Sequence, residues 1–94
     1  MNANDALFAV NVGASTGLDL VPVGGQATIV GVGGELRLRR RLLEMGLCPG
    51  IAITCVRRAP LGDPIEFLVR GYHLSLRADQ AALVAVHENP CPLP

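Results

Sequence analysis

Ile65-Glu66-Phe67-Leu68-Val69-Arg70-Gly71-Tyr72-His73-Leu74-Ser75-Leu76 is the stretch on which the fold turns. Two runs rich in β-branched and aromatic residues flank Arg70-Gly71, a dipeptide that suits a two-residue hairpin loop. Folding the chain back at that point sets Ile65 opposite Leu76, Phe67 opposite Leu74 and Val69 opposite Tyr72, and all six side chains fall on one face. A slip of one residue would move every one of them into water, so the register is strongly specified. The stretch predicts an antiparallel hairpin with one face in the core, Phe67 and Tyr72 included.

Upstream, Ile51, Ile53 and Cys55 alternate along Ile51–Val56 as in a half-buried strand, with Cys55 expected in the core. Arg57 spoils that parity, which calls for a bulge or a strand end near it. Ala59-Pro60-Leu61-Gly62-Asp63-Pro64 is turn chemistry joining this strand to the hairpin. Further back, Leu18–Gly25 leads into Gln26–Val32, where β-branched residues between glycines mark the first strand, and Gly33-Gly34 permits a sharp turn. Leu36–Met45 is built from good helix formers, with a start near Gly34 or Glu35. Its end is better marked: Gly46 suits the left-handed position after the helix, Leu47 can fold back onto Leu42, and Pro49 blocks continuation. Around that helix Leu36, Leu43 and Leu47 form one apolar stripe and Leu38, Leu42 and Met45 another. One stripe can meet the core, leaving the other for loops or a partner. Downstream, 77–82 is a short turn or helical loop and Leu83–Val86 a last strand. The domain therefore spans 18–86, between an N-terminal extension, 1–17, and a frayed Pro-rich tail, 87–94.

At 94 residues the chain has room for one core only. Eleven Gly and seven Pro favour many turns between short elements, hence a mainly β domain with one helix. The formal net charge is +0, without the basic surplus of a dedicated nucleic-acid domain. All eight cations are Arg, a residue suited to multi-donor contacts with carboxylates and carbonyls. Three Cys at 48, 55 and 91 have no close pairing, which fits a reducing cytoplasm better than a disulfide framework. No apolar run approaches membrane-spanning length, and the acidic Asp5 before the first apolar stretch is unlike a secretion signal.

Catalysis finds no constellation: His73 and His87 stand outside any recognisable nucleophile or acid–base motif, and the carboxylates are scattered. Gly31-Val32-Gly33-Gly34 lacks both the dinucleotide spacing and a P-loop lysine. The chain reads as a non-enzyme. Cys48, His73, His87 and Cys91 could each offer one ligand to a transition metal, in an adventitious or intersubunit site rather than a dedicated one. Arg37, Arg39, Arg40 and Arg41 crowd like charges onto one short helix, either as a solvated face or as a contact surface.

Gly-Gly-Gln-Ala-Thr-Ile at 24–29, Arg40-Arg41-Leu42-Leu43-Glu44-Met45-Gly46-Leu47 before Pro49-Gly50, Ala59-Pro60-Leu61-Gly62-Asp63-Pro64-Ile65 and Leu74-Ser75-Leu76-Arg77 together resemble the ferrous iron transport protein A (FeoA) family in order and spacing. The resemblance covers Leu18–Val86 and implies a small SH3-like β-barrel with one α-helix inserted after the first strand. It also implies a cytoplasmic accessory role beside the membrane GTPase transporter, ferrous iron transport protein B, whose activity it would modulate through its cytoplasmic part. The same barrel occurs as a module of metal-dependent repressors, so a metal-responsive or nucleic-acid-associated regulator, with the Arg cluster on phosphate, is the alternative.

Signalling barrels of this shape grip Pro-rich peptides on aromatic grooves, whereas this chain offers only Phe8, Phe67 and Tyr72. The expected partner contacts are instead Arg37, Arg40, Arg41 and Glu44 on the helix and the loop Pro60, Leu61, Gly62, Asp63 and Pro64. No resident cofactor is expected, and iron or zinc would bind weakly. Open strand edges, the second helix stripe and the unpaired Cys and His residues also predict a weak homodimer.

Overall fold

The computed structural model describes residues 15–89. In chain order these are strand β1 (Ser15–Gly17), a 3-10 turn (Leu18–Leu20), β2 (Gln26–Val32), helix α1 (Leu36–Glu44), β3 (Ala52–Arg58), β4 (Ile65–Val69), β5 (Tyr72–Leu76), the one-turn helix α2 (Ala78–Ala81) and β6 (Val84–Glu88). The strands form one antiparallel sheet in the order β1-β6-β2-β3-β4-β5, wrapped around a single core as a small SH3-like barrel. The hydrogen-bonded ladder leaves β1 and β5 as its edges.

The β4–β5 hairpin has the register the sequence predicts: Ile65 faces Leu76, Phe67 faces Leu74 and Val69 faces Tyr72. Its loop places Arg70 at φ 50° and Gly71 at φ 88°, the paired left-handed residues of a turn whose twist matches the strands it joins. Ile65, Phe67, Val69 and Leu76 are fully buried. Tyr72 departs from the expectation. It lies at the rim of the same face, 43% exposed, because its hydroxyl reaches a polar partner outside the core.

In β3, Ile53 and Cys55 point inward, and the register against β4 shifts between Cys55 and Arg57, which is the bulge the parity change demands. Burial raises the Cys55 thiol pKa, with the Arg58 charge partly opposing. Beyond the bulge Arg58 turns back, and its guanidinium donates to the carbonyls of Asp19 and Val21 (3.2 Å for Val21), tying the 3-10 segment to the end of β3. Leu18 of that segment and Val21 just after it are buried in the core.

Both ends of the domain reach further than the pattern suggests. Ser15–Gly17, read as extension, pairs with β6 and makes Gln26–Val32 the second strand. His87 and Glu88, read as tail, complete β6, and the Asn89 N–H donates to Gln26 O at 2.9 Å. Phe8 and Cys91, with the rest of the extension and tail, lie outside the described residues.

Candidate partner-binding surface

Helix α1 is fixed at both ends. Glu35 caps its start, a carboxylate oxygen accepting from the Arg37 N–H at 3.3 Å. At its end Gly46 takes φ 98°, its N–H donates to Leu43 O at 3.0 Å and the Leu47 N–H to Leu42 O at 3.2 Å, the paired bonds that close a helix on a glycine. Leu47 is thereby swung into the core that Leu42 also enters. Leu38, Leu42 and Met45 form the inward stripe, whereas Leu36 is 64% exposed. Arg39 folds across the helix start, its Nε donating to Val32 O at 3.0 Å. Arg37, Arg40, Arg41 and Glu44 are exposed and make no ion pair or side-chain hydrogen bond among the described residues.

The second expected contact, Pro60–Pro64, is a self-bonded turn: the Gly62 N–H donates to Ala59 O at 2.7 Å and the Ala59 N–H to Pro64 O at 3.0 Å. Leu61 projects from it, 96% exposed. Asp63 has structural work to do, since its Oδ1 accepts from the Ala78 N–H at 2.9 Å and so caps the first turn of α2. A groove lined by Arg57, Arg58, Ala59, Pro60, Pro64, Glu66 and Ser75 runs beside the loop.

These two surfaces are attached to opposite ends of the β4–β5 hairpin. The C-terminal turn of α1 is tied to Tyr72 at the hairpin's loop end, and Pro64 leads directly into Ile65 at the other, about 14 Å of strand away.

On the outer face of the sheet, Glu66 accepts from Arg57 Nε at 2.7 Å and meets His73 Nδ1, also at 2.7 Å. The Arg57 hydrogen bond, reinforced by the charges of Arg57 and His73, holds the Glu66 carboxyl below the usual range. Composition pointed to His73 as a ligand donor, but here it is engaged with a carboxylate. The Cys48 thiol donates to Leu43 O at 3.6 Å, and His87 sits within β6 opposite Ser15 and Thr28. Among the described residues no three His, Cys, Asp or Glu side chains gather where a metal ion could be held.

Sequence reading missed Arg58, Tyr72 and the capping role of Asp63. Each acts on backbone groups far along the chain, and no local spacing signals such a contact.

The described residues thus form a six-stranded SH3-like barrel whose one long helix turns its charged face outward. Residues 16–88 match the FeoA domain model, and the chain belongs to that family. It is 46% identical over 63 residues to an Fe(2+) transport protein A/Fe(2+) transporter FeoB fusion protein of Porphyromonas gingivalis, the match covering 67% of this chain and 8% of that protein. The chain thus spans a small part of the length of this curated relative. The solution structure of a FeoA-like protein from Clostridium acetobutylicum superposes with a TM-score of 0.74 at 35% identity, over 80% of this chain and 87% of that one. FeoA of Stenotrophomonas maltophilia, described as a prokaryotic SH3 domain protein and solved with zinc, matches with a TM-score of 0.66 at 27% identity, over 74% of this chain and 87% of that one. The family is one of ferrous iron transport. Among the described residues no helix is long and apolar enough to cross a membrane.

Proposed function

We propose that this chain is a cytoplasmic, non-catalytic regulatory subunit of ferrous iron transport that binds the cytoplasmic part of the membrane GTPase transporter, ferrous iron transport protein B, and modulates its activity. The observation that carries this reading is the Porphyromonas gingivalis relative, in which the matching domain and the transporter are parts of one polypeptide. Fusion holds two modules at high effective concentration, a useful arrangement for a contact that is weak between separate chains.

Such a subunit acts by differential affinity: whichever transporter state it binds more tightly becomes more populated. The rigid barrel suits that role, because α1 and the Pro60–Pro64 turn are both held by backbone hydrogen bonds before any partner arrives. The role needs no resident cofactor, and iron or zinc, if taken up, binds weakly.

The test is co-purification. Tagged chain added to detergent-solubilised membranes of its own organism retains the transporter, and retention changes with the nucleotide bound by the GTPase domain. Recovery of the chain without the transporter under every nucleotide condition contradicts the reading.

A further inference from the structure

We infer that the outward ridge of α1 is a docking site for an acidic segment of its protein partner, with carboxylates placed around an aliphatic side chain. This deepens the proposed function and rests on it. Around the helix axis Arg37, Arg40, Arg41 and Glu44 fall within about 100° of one another, centred away from the buried stripe of Leu38, Leu42 and Met45. Leu36 lies next to that ridge, one turn before Arg40, and is 64% exposed.

Three guanidinium groups on adjacent turns repel one another; Glu44 on the same ridge offsets part of that charge, but no carboxylate of the described residues forms an ion pair with them. Elsewhere Arg57 is paired with Glu66 and Arg58 donates to backbone carbonyls, while Arg70 and Arg77 are exposed without an ion pair but stand singly, so α1 is where unpaired arginines are clustered. A ligand for this ridge must bring negative charge and cover Leu36.

Three kinds of anionic surface could do so, and the charge and burial around α1 favour one. Nucleic acid is attracted by a basic domain with many phosphate contacts, whereas this chain carries a net charge of +0 and three unpaired arginines on one helix. A bilayer would need an apolar helix face to insert, but the apolar face of α1 is buried against the barrel and only Leu36 projects. A protein carboxylate matches the planar, forked donors of Arg and needs no further apolar face. The Pro60–Pro64 loop is the weaker candidate for the same ligand: its one carboxylate, Asp63, is occupied at α2 and its exposed tip is the uncharged Leu61.

The experiment titrates the isotope-labelled full chain with the transporter's soluble cytoplasmic part at two salt concentrations. The expected result is perturbation centred on the α1 amides, with affinity falling as salt rises. Arg40→Glu weakens binding about tenfold, as loss of one charge-assisted contact implies. Reversal of Arg37, Arg40 and Arg41 together abolishes binding, and their joint replacement by Lys keeps more affinity than reversal does. An amide spectrum of each variant shows that the barrel is intact, and the Lys variant serves where triple reversal disturbs the fold. Binding that survives triple reversal in a folded variant overturns this inference and leaves the proposed function standing. No binding by the unaltered chain overturns both. Co-sedimentation with phosphatidylglycerol vesicles that is lost on charge reversal, without affinity for the soluble part, assigns the ridge to lipid and also overturns it.

Discussion

The hydroxyl of Tyr72 donates to the backbone carbonyl of Met45, joining the first residue of β5 to the last turn of α1. The bond satisfies a carbonyl that the helix end would otherwise leave to water, and it sets where the arginine ridge sits relative to the barrel. Tyr72→Phe keeps the ring and removes only the donor. We expect a loss of about 1 kcal/mol in denaturant unfolding and faster amide exchange in the last turn of α1, with the sheet unaffected.

Gly46 stands against the same hydroxyl. A Cβ at Gly46 would lie 2.8 Å from Tyr72 Oη and would have to adopt φ 98°, while a Cβ at Gly24, at φ 86°, would meet nothing within 4 Å. Gly24→Ala is therefore expected to cost roughly 1 kcal/mol from backbone strain alone. Gly46→Ala should cost more and also weaken the Tyr72 contact, a difference that parallel unfolding curves measure directly.

Glu66 links β3 to β5 through Arg57 and His73. Because its folded pKa is lowered, its contribution to stability is present above the ordinary carboxylate range and is lost as pH falls through the folded value. Glu66→Gln should flatten the fall in unfolding midpoint between about pH 5 and pH 3. The effect is small, since Arg57 is largely exposed and such pairs contribute little. A variant with the same acid slope as the parent contradicts this account of the pair.

Metal uptake and self-association are expected to go together. With no gathered donor set among the described residues, a transition metal held by Cys48 or His73 is expected to be shared with a second copy. Zinc should raise the mass measured by sedimentation equilibrium toward the dimer, and Cys48→Ser or His73→Ala should reduce that rise. A monomer mass unchanged by zinc or ferrous iron rules out the metal-bridged dimer, and a dimer without metal shifts attention to the open β1 and β5 edges.

What could be read from the chain was whatever several local constraints fixed at once. The β4–β5 register is set by three facing apolar pairs and a two-residue loop, and the bulge before Arg57 by a parity change. The helix stop at Gly46-Leu47 has its own signature. Ser15–Gly17 has no strand pattern, since polar and small residues become a strand only by pairing with β6. Tyr72 shares the sheet face of its partner Val69, but its hydroxyl decides its place at the rim. The exposed surfaces were legible as charge and turn chemistry. Their division of labour was not: Asp63 is spoken for by the Ala78 amide, fifteen residues away, whereas the helix arginines are unpaired among the described residues.

In the role proposed above, this domain sets the rate of ferrous iron transport by contact with the transporter. The most direct measurement is the initial rate of ferrous iron uptake, under iron limitation, in cells that keep the transporter but lack this chain. The expected outcome is a changed rate, restored by the unaltered chain and not by the chain reversed at Arg37, Arg40 and Arg41. Uptake equal to that of the parent strain, at equal transporter levels, contradicts it.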